Sequence, residues 1–95
     1  NHARNIEATA PFRALAAEMG HRTSSLAIAW LLYQDEHILP IPGTRSIEHL
    51  NELAAGANIV LTESDLKAIE EVLPIGWCHG DRYAVGQWVG PEKFC

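Results

Sequence analysis

Phe12, Leu15, Ala16 and Met19 recur at i, i+3, i+4 and i+7. That period lays one apolar stripe along a helix and predicts one over roughly residues 5–19. Gly20 follows where a left-handed C-terminal residue belongs. Thr23 is then the expected N-cap of a second helix over roughly 24–34, with the sequence SSLAIAWLLYQ. Residues 26–33 are apolar without a break, so this helix needs cover on every side, and the chain has little to cover it with. Asp35-Glu36-His37 predicts a turn, and residues 38–41 predict a short buried strand. Pro40 and Pro42 limit that strand, because proline donates nothing to a ladder. Ser46 is the expected N-cap of a third helix over roughly 47–54, with Glu48 in its electropositive first turn. Gly56-Ala57-Asn58 predicts a loop. Thr62-Glu63-Ser64-Asp65 has the form of a capping box with Asp in place of Glu. It opens a fourth helix through Leu66, Ile69, Val72 and Leu73, which Pro74 ends. Residues 75–95 hold no period and predict an irregular tail.

The order is therefore helix, helix, strand, helix, helix, tail. One lone strand makes no sheet, so the strand pairs with copies of the chain or with strands outside it, and the second reading is the stronger. The 95 residues fit one domain at most, and the opening NHARNIEATA, without an initiating Met, suggests a fragment or a processed chain. A composition of 47% hydrophobic and 20% charged residues is that of a folded domain rather than a disordered one. A formal net charge of −5 argues against a general nucleic-acid binder, which needs a basic face. No apolar run of about 18 residues predicts a membrane span. Cys78 and Cys95 are too sparse for a disulfide scaffold and fit reduced thiols in the cytoplasm.

Candidate chemistry concentrates in LPIPGTRSIEHL, residues 39–50. After Pro42, Gly43 lets a backbone approach a ligand closely. Thr44 adds a hydroxyl, and Arg45 a planar fork suited to phosphate oxygens. The helix that starts beyond Ser46 offers free N–H groups and the positive end of its dipole. His49 and Glu52 lie one and two turns after Arg45 on a related face. These residues fit a phosphate site with polar groups beyond it for a heterocycle. They also fit a plain strand-to-helix turn with a surface arginine.

Three blocks, SSLAIAWLLYQ, ILPIPGTRSIEHLNEL and LTESDLKAIEEV, resemble in order and spacing the C-terminal third of an aldo-keto reductase. The resemblance covers roughly residues 12–73. It implies a (β/α)8 TIM barrel (class α/β) that reduces aldehydes or ketones with NADP(H). Residues 1–95 would be its C-terminal portion, with the seventh helix at 26–34 and the eighth strand at 38–41. Pro42, Gly43, Thr44 and Arg45 would then lie at the strand's C-terminal rim, where such barrels are active. By the same resemblance, Gly43 and Thr44 contact the adenosine 2′-phosphate, with Arg45 beside them. His49 flanks phosphate and adenine, and Glu52 lies near the adenine amino group. Leu53 stands where the family generally has Asn, and Ser46 replaces a common basic residue. The first weakens adenine reading, and the second leaves NADPH over NADH an open preference. The family's catalytic Asp, Tyr, Lys and His match no position here, so the chain alone is expected to be inert. Its implied partners are a small carbonyl substrate and the remainder of the barrel.

Other readings compete. Residues 12–34 imitate a helix-turn-helix around Gly20, but the second helix offers Leu, Ile and Trp where a DNA reader needs polar and basic groups. A self-associating, non-catalytic fragment would bury the same apolar helix against copies of itself. Cys78, His79 and Asp81 lack paired metal-ligand spacing, so no metal is expected. Trp77 and Trp88 fit either a substrate cleft or a cap on the barrel edge.

Overall fold

A computed structural model describes residues 1–80. Its helices are α1 (His2–Ala8), α2 (Ala10–Glu18), α3 (Thr23–Gln34), α4 (Ile47–Ala55) and α5 (Glu63–Val72), with a 3₁₀ turn at Gly56–Asn58. The expected single N-terminal helix is two. Thr9 separates them at φ −83° and ψ −8°, because Pro11 lacks an N–H and its ring crowds the carbonyl four residues back. Hydrogen bonds still bridge the junction: Thr9 N–H donates to Asn5 O at 3.1 Å and Arg13 N–H to Thr9 O at 3.0 Å.

α2 ends as Gly20 predicts. Gly20 has φ +78°, its N–H donates to Ala17 O at 3.0 Å, and His21 N–H donates to Ala16 O at 2.9 Å. This is the paired bond set of a Schellman cap, which needs a left-handed residue that glycine adopts without strain. The start of α3 differs from expectation. Arg22, extended at φ −71° and ψ 146°, is the N-cap, Thr23 is already helical, and no side chain caps the end. Ser46 and Thr62 cap α4 and α5 as expected. Thr62 Oγ1 accepts from Asp65 N–H at 3.1 Å, and Asp65 Oδ2 accepts from Thr62 N–H at 2.9 Å. Asp does the work of Glu in this capping box.

The core is small: Phe12 and Ala16 from α2, Leu26 and Ala29 from α3, Leu61, and Ile69 from α5. α3 lies at its centre, against α2, α4 and the 3₁₀ turn. Cover on α3 is incomplete, as its unbroken apolar run predicts, and Tyr33 is 51% exposed. Trp77 lies over the same cluster, beside Phe12, Trp30, Ile69 and Leu73, and so caps helices. Trp88 falls outside the described residues. Asn5 ties the segment after α5 to α1: its amide donates to His79 O at 3.0 Å and accepts from His79 N–H at 2.7 Å.

The expected strand at 38–41 does not form, and no strand occurs among the described residues. Ile38 N–H closes the preceding turn on Asp35 O at 3.2 Å, and no main-chain bond joins residues 39–45 to the described main chain. A strand exists only against a partner edge, and nothing among the described residues supplies one. Leu39 and Ile41 stand 83% and 90% exposed.

Candidate functional site

The first turns of α3 and α4 open onto one broad cleft of about 1440 Å³. Arg22, Thr23 and Ser24 line it from α3, and Gly43, Thr44, Arg45, Ser46, His49, Glu52 and Leu53 from the other side. Only the fold brings these two walls together, since eighteen residues of chain, 25–42, lie between Ser24 and Gly43.

The loop before α4 is ordered by its own hydroxyls. Thr44 Oγ1 accepts from Ser46 N–H and donates to Ser46 O, both at 3.2 Å. Ser46 Oγ accepts from His49 N–H at 3.4 Å. The Thr44 hydroxyl thus shapes the turn as well as facing the cleft. The N–H groups of Ile47 and Glu48 keep no acceptor among the described residues. Neither do those of Thr23, Ser24 and Ser25 at the start of α3. Two helix N-termini therefore present unsatisfied donors and positive dipole ends at the same opening. Arg45 is exposed and forms no ion pair among the described residues. A Cβ on Gly43 would meet nothing within 4 Å, and its φ is not left-handed. Neither packing nor backbone conformation within the described residues requires glycine there.

Glu52 is held from α3. Arg22 Nε lies 3.6 Å from Glu52 Oε1, and Ser24 Oγ donates to Glu52 Oε2 at 3.4 Å. The buried Ser25 donates from Oγ to Glu52 O. Five of the six residues singled out in the sequence, Gly43, Thr44, Arg45, His49 and Glu52, share the cleft. Pro42 does not. It lines an apolar hollow with Ile28, Leu32, Pro40 and Leu50. Sequence reasoning missed Arg22, Thr23 and Ser24, although a cation followed by three hydroxyl residues at a helix start was a visible signal for an anion-facing wall. Among the described residues no three His, Cys, Asp or Glu side chains gather as a metal site, and Asp81 lies outside those residues. No helix among them is long and apolar enough to cross a membrane.

The arrangement suits a phosphorylated ligand: the exposed guanidinium of Arg45, two open helix starts, and a carboxylate paired with Arg22. Residues 1–74 match the model described as the Aldo/keto reductase family. The chain is 43% identical over 63 residues to "Probable aldo-keto reductase 1" of Glycine max, covering 66% of this chain and 18% of that protein. It is 31% identical over 86 residues to the NADP(+)-designated aldo-keto reductase yakc of Schizosaccharomyces pombe, covering 90% of this chain and 25% of that protein. The chain thus spans a quarter or less of the length of these relatives. No solved structure matches it.

Proposed function

Because the matching family model covers most of its length, the chain belongs to the aldo/keto reductase family, and we propose that it holds the adenosine end of NADP(H) in a (β/α)8 oxidoreductase. The observation that carries this reading is the cleft itself. Gly43, Thr44, Arg45 and the open N–H groups of α4 face the same space as Arg22 and the start of α3. A nucleotide phosphate meets there the donors and cations that bind anions at helix starts. Gly43 leaves room for close approach, and His49 and Glu52 lie beyond Arg45 where a purine would extend. The designation of one relative as NADP(+)-linked supports the same cofactor.

Bound to the intact protein, the cofactor supplies a hydride for reduction of an aldehyde or ketone. This chain's residues bind and orient the nucleotide. The groups that act on the carbonyl belong to the remainder of the barrel, and the chain alone is inactive. Leu39, Ile41 and Val60, each more than four-fifths exposed, give that remainder apolar surface to cover. We place the protein in the cytoplasm, in keeping with the thiol of Cys78, which is unpaired among the described residues. The DNA-binding alternative has less support, since α3 presents Trp30, Leu32 and Tyr33 to solvent rather than basic groups.

Titration of the full-length protein with NADPH, followed by quenching of its intrinsic fluorescence, tests the assignment. Arg45→Ala should weaken NADPH by about 1–3 kcal/mol, the worth of a charge-assisted hydrogen bond. Unchanged affinity would remove the phosphate from this cleft.

A further inference from the structure

Resting on the cofactor reading above, we propose that Arg22 is a positioning residue, which lets the cleft accept an anionic nucleotide by neutralising and fixing the Glu52 carboxylate. Both oxygens of Glu52 are engaged from the first turn of α3: Oε1 by Arg22 at 3.6 Å and Oε2 by Ser24 at 3.4 Å. Ser25 holds the main-chain oxygen of the same residue. One residue of α4 is thereby contacted at three atoms from the start of α3.

The charge of that carboxylate matters because it lies on the wall shared with Arg45 and the α4 N-terminus. The Glu52 side chain is only 21% exposed, so water screens it less than it screens Arg22, which is 72% exposed. Left alone, it would repel any phosphate bound near Arg45 over the several ångströms at which charges still interact at moderate salt. Arg22 cancels that repulsion. A carboxylate can then remain in an anion-binding cleft and present a fixed acceptor to the ligand's base. In this arrangement Arg22 acts through Glu52, not by touching the phosphate.

That distinction is measurable by a double-mutant cycle in the full-length protein. The probes are NADPH and adenosine 2′,5′-bisphosphate, which carries only the adenosine end, and Arg45→Ala serves as the reference. Arg22→Ala should weaken both probes roughly three- to fivefold at low salt, and Arg22→Lys should recover much of the loss. In a Glu52→Gln background, which has no carboxylate to neutralise, Arg22→Ala should change affinity by less than about twofold. The penalty should shrink at high salt. Equal weakening in both backgrounds would mean direct phosphate contact and overturn the inference, as would no weakening in either. If Arg45→Ala weakens binding while Arg22→Ala does not, only this inference falls. If Arg45→Ala is also silent, the cofactor reading falls with it. Should Arg22→Ala fail to fold, Arg22→Gln in the same two backgrounds makes the same comparison.

Discussion

Gly56→Ala should destabilise the protein by about 1–2 kcal/mol, although alanine is ordinarily favoured over glycine in helical conformations. The backbone at Gly56, φ −58° and ψ −29°, is one that any residue adopts. The obstacle is space. A Cβ there would lie 2.6 Å from Ser25 O and 2.8 and 2.9 Å from Ile28 Cβ and Cγ2. One neighbour is main chain and the others belong to a β-branched side chain on a helix, so neither swings aside. Ordinary contact begins at 3.4 Å, and α3 must therefore part from the α4 end by roughly 0.8 Å. Overpacking of this kind costs about 1–3 kcal/mol. A smaller gain of about 0.4–1 kcal/mol from restricting the unfolded chain offsets part of it. Denaturant unfolding of the full-length protein should show a lower midpoint at unchanged slope. NADPH affinity should fall as well, because the same separation loosens the grip of Ser24 and Ser25 on Glu52. A variant as stable as the wild type, or more so, would refute the close approach of the two helices.

Gly43→Ala is the counterpart, since its Cβ meets nothing within 4 Å. Its unfolding midpoint should be unchanged or slightly raised, while NADPH affinity drops at least several-fold if a ligand uses that space; unchanged affinity would leave the glycine without a role. Thr62→Ala removes one half of the capping box and should cost about 1 kcal/mol in a thermal or denaturant melt without altering NADPH affinity.

The helices and most of their ends could be read from the order of residues alone. Those signals are local: a 3.6-residue period from Phe12 to Met19, a left-handed Gly20, and hydroxyl caps at Ser46 and Thr62 whose partners lie three residues away. The family was also legible, because three blocks at fixed spacing survive in the primary order. Where expectation and structure parted, the deciding contact was, apart from one proline, not local. Pro11 divided the first helix by crowding a carbonyl one turn back. Residues 38–41 had the composition of a strand and, among the described residues, no edge to pair with. Arg22 and Ser24 became part of the site only because α3 packs on α4 closely enough, through Gly56, to bring them to Glu52. Nearly thirty residues of chain separate Ser24 from Glu52. Periodicity cannot register such a contact, since it arises from how two helices meet rather than from how either one is formed.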